Sequence, residues 1–271
     1  RGPNAQGIFR DQNCELGHTR LSIIDTSSAA DQPMSSENGR YTLIFNGEIY
    51  NFLSLKEELK KKYKLNFKTT SDTEVLLHGL INEGKSFLQK LNGFFAFCFY
   101  DKDANYYLLA RDRFGIKPLL YSYNEKHLIF GSELKALMCY PIEKEIDKIA
   151  LHQFLQFTYI PSPRTILSQT KKLEPSHLIE IKDSQVKLEK YYTYYPTNKS
   201  EDDYDTAKRK VFDLLHKSVE KRLVSDVSLG TFLSGGVDSS IISAISAKYK
   251  PNLETFSIGF PDEPIFDESK Y

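Results

Sequence analysis

Along the first half of the chain, apolar residues alternate with polar ones in short runs, at residues 7–10, 41–45, 94–100, 106–110, 119–123 and 128–130. Alternation of this length predicts half-buried strands, and so many in succession predict one or two antiparallel sheets. Residues 53–63 and 72–83 break that rhythm with apolar positions at helical spacing. The second of these opens on Asp72, an acidic residue suited to an N-cap. Sheets with helices laid on them are predicted. A further helix is expected at 149–157, and a hairpin at 176–192 turning around Asp183 and Ser184.

Beyond about residue 195 the pattern changes. A polar stretch at 196–203, with Lys199, Ser200 and three acids, reads as a linker between a domain at 1–195 and a second at 196–271. After it come a helix at 204–223, a buried-strand run at 227–233, a glycine turn, a helix at 239–249 and a strand at 253–260. Strand, helix, strand in that order predicts parallel pairing.

With 271 residues and a 40% hydrophobic share, the chain can build two ordinary cores. Its 36 basic and 36 acidic residues cancel, so no overall field favours nucleic acid or an anionic membrane. Small-molecule chemistry is the expectation. The basic stretch at 60–64 is read as a solvated helix end. No run is long enough to cross a bilayer as a helix. Cys14, Cys98 and Cys139 show no CxxC pair and no disulfide framework, which favours a reducing cytoplasm. The six histidines have no metal spacing.

Candidate chemistry concentrates at residues 232–240, FLSGGVDSS, where an apolar strand passes into a helix through small residues. Gly235 and Gly236 allow a tight turn whose N–H groups form a nest for an anion, and the helix adds its positive end. Ser234 and Ser239 can donate to phosphate oxygens, while Asp238 can hold Mg²⁺, a hard cation that prefers oxygen. No Gly-Lys-Ser/Thr follows, so this is not a Walker A loop. The bland alternative is a strand-to-helix turn with a Gly-Gly bend and an aspartate cap. The segment resembles the SGGxDS pyrophosphate loop of the N-type ATP pyrophosphatases. That resemblance implies an ATP site formed by Leu233, Ser234, Gly235, Gly236, Asp238 and Ser239, with backbone near Ile258 meeting the adenine.

Upstream, RGPNAQG (1–7), GHTRLSII (17–24), FNGEIYN (45–51), SDTEV (71–75), ARDRFGIKPL (110–119) and GSELKAL (131–137) resemble, in that order, the glutaminase domain of class II amidotransferases. With both halves on one chain, the sequence is similar to the glutamine-hydrolysing asparagine synthetases of the bacterial B type. The fold this implies is an α+β class II glutaminase, an Ntn-hydrolase-like αββα sandwich without its first strand. The start of an α/β ATP-pyrophosphatase domain, adenine nucleotide α-hydrolase-like, would follow it. Implied too are glutamine, aspartate and ATP as substrates, with Mg²⁺ as cofactor. Glutamine hydrolysis would supply ammonia, and adenylated aspartate would accept it, giving asparagine, glutamate, AMP and pyrophosphate. A homodimer is compatible with the resemblance; nucleic-acid and membrane partners are not expected.

The resemblance assigns glutamine's two charged ends to Arg20 and Asp72. It assigns the oxyanion donors to the Asn46 side chain and the Gly47 N–H, and the pocket wall to Leu21, Ser22, Ile23, Ile24 and Glu48. Bland alternatives exist here as well: an ordinary surface ion pair for Arg20 and Asp72, and a type I′ hairpin turn for Asn46-Gly47. Residues 111–119 read as a structural strand exit. The family's N-terminal cysteine nucleophile has no counterpart, and Cys14 is expected to be an ordinary thiol. Relative to the family both ends look truncated, and FDES at 266–269 resembles the start of its next helix. The expectation is a chain inactive in both half-reactions and poorly soluble. Two alternatives are a relative that amidates another carboxylate and a non-catalytic remnant.

Overall fold

The computed structural model describes residues 2–124, 127–183, 185–196, 199–260 and 262. The alternating segments fold as β1 (Ala5–Arg10), β2 (Glu15–Arg20), β3 (Met34–Ser35), β4 (Tyr41–Ile49), β5 (Gly93–Asp101), β6 (Tyr106–Arg111), β7 (Leu120–Tyr123), β8 (Leu128–Gly131), β9 (Thr170–Lys172), β10 (His177–Lys182) and β11 (Gln185–Lys190). Helices α1 (Phe52–Tyr63), α2 (Asp72–Glu83), α3 (Leu134–Leu137) and α4 (Lys148–Phe157) interrupt them. One antiparallel sheet runs β11-β10-β6-β5-β4-β3; β1 with β2, and β8-β7-β9, make two smaller ones.

The side-chain alternation of β5 decides the layering. On one face Ala96, Cys98 and Tyr100 join Leu16 of β2, Leu109 of β6, Ile179 of β10, Leu119 and Leu173 in a single buried cluster. Phe95, Phe97 and Phe99 on the other face are equally buried. A buried phenylalanine side chain is worth roughly 1.5–3 kcal/mol, so β5 is the strand that anchors both layers. Helix α2 lies against β4 and against α1, contributing Val75, Leu76 and Leu80 to the interior. The basic residues Lys60, Lys61 and Lys62 close α1, where they oppose its negative end, before Lys64 turns left-handed at φ 55°.

One expectation is corrected here, and one bland alternative is excluded. The cap of α2 is Ser71, whose side chain accepts from the Glu74 N–H, and Asp72 is the first helical residue. Asn46-Gly47 is not a hairpin turn; it lies inside β4, paired with Ala96 and Phe95 of β5. Tertiary packing overrides the local turn signal, because only glycine fits. A Cβ on Gly47 would lie 2.2 Å from Phe94 O and 2.8 Å from Phe95 Cα. Gly47→Ala should therefore cost about 3 kcal/mol by forcing β4 and β5 apart. A thermal-melting midpoint within 2 °C of the parent's would contradict that.

The described residues form two units: those up to Ser22 with Ser27–Tyr194, and Ile23–Thr26 with residues from Tyr195 onward. The second holds α5 (Tyr204–Arg222), β12 (Gly230–Phe232), α6 (Val237–Tyr249) and β13 (Glu254–Phe256). As expected, β12 and β13 pair in parallel, from Gly230 with Glu254 to Phe232 with Phe256, though both strands are shorter than the apolar runs. Val219, Leu223 and Ile245 make a small core. Phe232 remains 74% and Phe256 52% exposed. The first residue, the hairpin tip at Ser184, linker positions 197 and 198, and the FDES segment lie outside the described residues.

Candidate functional site

The N-terminus of α2 is built to hold a carboxylate in place. Ser71 Oγ accepts the Glu74 N–H at 3.3 Å, and the Glu74 carboxylate reaches back to accept the N–H groups of Lys68 and Thr69 at 2.8 and 2.7 Å. Burial pushes the Glu74 carboxyl up, but hydrogen bonds from His78, Lys68 and Thr69 outweigh it and hold it down at about 2. Within this frame Asp72 is 5% exposed, and its Oδ2 accepts the Ile49 N–H at the end of β4 at 2.9 Å. Burial is the main cause that pushes its carboxyl up to about 6; the Ile49 N–H works against that, and the charge of Glu48 adds to it. A buried carboxylate raised this far is poised to receive a cation.

Strand β4 presents the second part of the site along one edge. Beyond Leu43 it has no strand partner on the β3 side, because β3 pairs only with Leu43 and Thr42. Gln32 fills that gap: its Oε1 accepts the Phe45 N–H at 2.6 Å and its Nε2 donates to Phe45 O at 3.1 Å. The N–H groups of Phe45 and Ile49 thus leave the strand on the side away from β5. By the two-residue period of a strand, the Gly47 N–H between them leaves on that same side. The half-buried Asn46 lies at 3.4 Å from Ser132 Oγ through its Nδ2, a long and weak contact. Its Cβ and that of Glu48 share the opposite face of the pleat from Gly47, on the side of the sheet where β2 packs.

Arg20 ends β2 with its side chain 7% exposed. Its Nη1 donates to Asp31 Oδ1 at 2.8 Å and to Ser27 O at 2.9 Å. The Arg20 carbonyl accepts the Asn4 N–H at 3.0 Å, and Asn4 Oδ1 accepts the Ser22 N–H at 3.1 Å, so Asn4 braces the strand end. Leu21 is 60% exposed, and Ile23 and Ile24 belong to the second unit. An ordinary surface ion pair does not describe Arg20 and Asp72, because both are buried; Arg20 is bonded to Asp31.

Three contributors carried no sequence signal: His18, Asp31 and Gln32. The His18 ring Nε2 sits 3.2 Å from Phe45 O, which can only accept, so that nitrogen bears the proton. Burial lowers the His18 pKa, keeping the ring neutral. Cys14 is pushed up to about 12, chiefly by burial, and Cys98 well above the ordinary thiol range for the same reason. Neither is a poised nucleophile.

At residues 110–119 the charges are consumed structurally. Arg111 donates to the carbonyls of Lys117, Leu173 and Gly115. Asp112, 1% exposed, accepts from the N–H groups of Phe95, Phe114, Ile116 and Lys117.

In the second unit, Gly235 takes φ 74°, a conformation that favours glycine, and turns β12 into α6. The helix cap is Gly236, which has no side chain to satisfy the first turn, and Asp238 does not cap it. Ser234 Oγ and Ser239 Oγ lie 3.0 Å apart, and Ser239 Oγ also accepts the Ser234 N–H at 3.2 Å. The aspartate-capped turn is therefore not what forms. The outcome is an uncapped helix N-terminus lined by hydroxyls, suited to an anion. Leu233 donates its N–H to Phe256 O, which fixes the strand before the loop, and Ile258 is 67% exposed. Asp238 is a single exposed carboxylate. Among the described residues no three His, Cys, Asp or Glu gather as a metal site would. That fits Mg²⁺ only in the manner of ions held by one carboxylate and a ligand's phosphates. No described helix is long and apolar enough to cross a membrane.

Comparison with known proteins gives two family matches: residues 1–192 with the glutamine amidotransferase domain, and residues 210–271 with asparagine synthase. Asparagine synthetase [glutamine-hydrolyzing] 1 of Bacillus subtilis is 41% identical over 97% of this chain, and asparagine synthetase B of Escherichia coli 35% over 97%. The chain spans 41% and 45% of those two relatives. Among solved structures, a glutamine phosphoribosylpyrophosphate amidotransferase from Bacillus subtilis aligns over 92% of this chain and 52% of its own, at 19% identity and TM-score 0.48.

Proposed function

This chain belongs to the glutamine amidotransferase domain family, and from that premise we propose that its first unit is the glutamine-binding part of an enzyme in which glutamine hydrolysis supplies ammonia to a synthetase half. The fold class is accordingly α+β, of the class II glutaminase type, with the beginning of an asparagine synthase domain after it. The observation that supports the reading best is the edge of β4. There the Gly47 N–H emerges between the N–H groups of Phe45, held by Gln32, and Ile49, held by Asp72. With the Asn46 amide it supplies two donors for the charge that develops on a glutamine amide carbonyl under attack. Asp72 takes the substrate's ammonium and Arg20 its carboxylate, since a guanidinium fork matches a carboxylate and a buried carboxylate an amine. Leu21, Ser22 and Glu48 complete the pocket.

The second unit is assigned to Mg²⁺-ATP, bound by Leu233, Ser234, Gly235, Gly236, Ser239 and backbone near Ile258. Asp238 would hold the Mg²⁺, whose chemistry there is to neutralise phosphate charge. The whole reaction is glutamine-dependent asparagine synthesis, in which ATP adenylates aspartate and leaves as AMP and pyrophosphate. Residues 1–195 and 196–271 are the two domains of that enzyme, a cytoplasmic protein able to form a homodimer. Calorimetry on the chain should show one glutamine site. Asp238→Asn should weaken Mg²⁺-ATP binding about tenfold, leave ATP binding in excess chelator unchanged, and leave glutamine binding intact. Equal loss of both ligands would sink the division of labour between the units.

A further inference from the structure

We propose that Asp31 is a positioning residue of the glutamine site, one that fixes the plane of the Arg20 guanidinium; this rests on the reading of Arg20 as partner of the substrate's α-carboxylate. A guanidinium receives a carboxylate through two parallel bonds only when its plane is set, and a long arginine side chain does not set that plane by itself. Here Nη1 is held on two acceptors. Nη1 donates to Asp31 Oδ1 at 2.8 Å and to Ser27 O at 2.9 Å, two acceptors only four residues apart on one segment.

That segment is rigid on both sides of Asp31. Before it, residues Ser28–Ala30 form a 3-10 turn closed by Ala30 N–H to Ser27 O at 3.2 Å and Asp31 N–H to Ser28 O at 3.1 Å, with Ala30 fully buried. After it, Gln32 is buried and bonded to both backbone polar groups of Phe45. The Asp31 carboxylate is therefore carried on a platform fixed to β4, the strand that bears Asn46 and Gly47. An exposed ion pair on a mobile loop would contribute little. This pair has a buried arginine, 7% exposed, at one end and a fixed loop at the other.

Positioning and plain neutralisation predict opposite signs. If Asp31 only cancelled the charge of Arg20, its removal would strengthen the attraction for an anion. As the residue that sets the plane, its removal weakens carboxylate binding. Calorimetry on the 271-residue chain with L-glutamine and with L-glutaminamide, whose α-carboxylate is replaced by an uncharged amide, separates the two. We expect Asp31→Ala to weaken L-glutamine about tenfold, to leave L-glutaminamide unchanged, and to add nothing to Arg20→Ala. Asp31→Asn, which keeps the shape and one acceptor, should fall between, and serves where the alanine variant does not fold. Tighter glutamine binding in either variant, or equal weakening of both ligands, overturns the proposal. Arg20→Ala that leaves glutamine affinity unchanged overturns instead the glutamine reading beneath it, and the role of Asp31 with it.

Discussion

Asp72→Asn should abolish measurable glutamine binding and, at pH 7.5, make the protein more stable. The two effects share one origin. Burial raises the Asp72 carboxyl from 3.8 to about 6, so keeping it ionised near neutrality is unfavourable for the fold. Two pKa units correspond to about 3 kcal/mol, the upper scale of what the isosteric amide would recover. The sign follows from proton binding: between about pH 4 and pH 6 the native state holds the Asp72 proton more tightly than the unfolded chain. Parent stability therefore falls as pH rises through that window and is flat above it. The Asn variant should lack this step, and its melting midpoint at pH 7.5 should be several degrees higher. Glutamine affinity in the parent should weaken as pH drops below 6, where the carboxylate becomes neutral. A variant that melts lower than the parent at pH 7.5, or that binds glutamine within threefold of it, would show that this burial is ordinary structure.

Asp112→Asn should have the opposite profile, a large loss of stability with no specific loss of ligand. Oδ1 accepts from Phe114 and Ile116, each at 3.0 Å, and Oδ2 from Lys117 at 3.0 Å and Phe95 at 3.2 Å. Either orientation of an asparagine amide sets an NH₂ group against two N–H donors. Two charge-assisted bonds are lost and buried donors are left facing one another, at a cost on the order of 4 kcal/mol. The turn also carries Phe114, 75% exposed, and Ile116, 59% exposed, so no hydrophobic burial by these two compensates. Denaturant titration should show the midpoint shifted with glutamine affinity preserved in the folded fraction. Preserved stability with lost glutamine binding would move residues 110–119 from scaffold to site.

How much of this was legible beforehand depended on how local each determinant was. Helix α2 spans the predicted 72–83, and β12 and β13 pair in parallel as the strand-helix-strand order implies. Periodicity is a local signal and reports such elements directly. The turn alternative for Asn46-Gly47 failed, because what selects glycine there is the backbone of β5, remote in sequence. Asp72 read as a cap because capping favours its chemistry, yet Ser71 one position earlier meets the same requirement with its hydroxyl. Asp31 and Gln32 were silent for a different reason. Their partners lie 11 and 13 residues away across a chain reversal, and nothing in their own neighbourhood encodes that distance.

The two side chains that bracket Gly47 also guard the molecule against its own copies. Past Leu43, strand β4 is a true sheet margin, and a margin with unspent N–H and C=O groups is a template on which another chain can zip. Gln32 occupies both groups of Phe45, and Asp72 takes the N–H of Ile49. What remains between them is the margin at Gly47, too short a stretch for a foreign strand to register. Substitutions that empty this margin should therefore be judged by light scattering as well as by affinity, because they expose a seam for self-association while they disable a pocket.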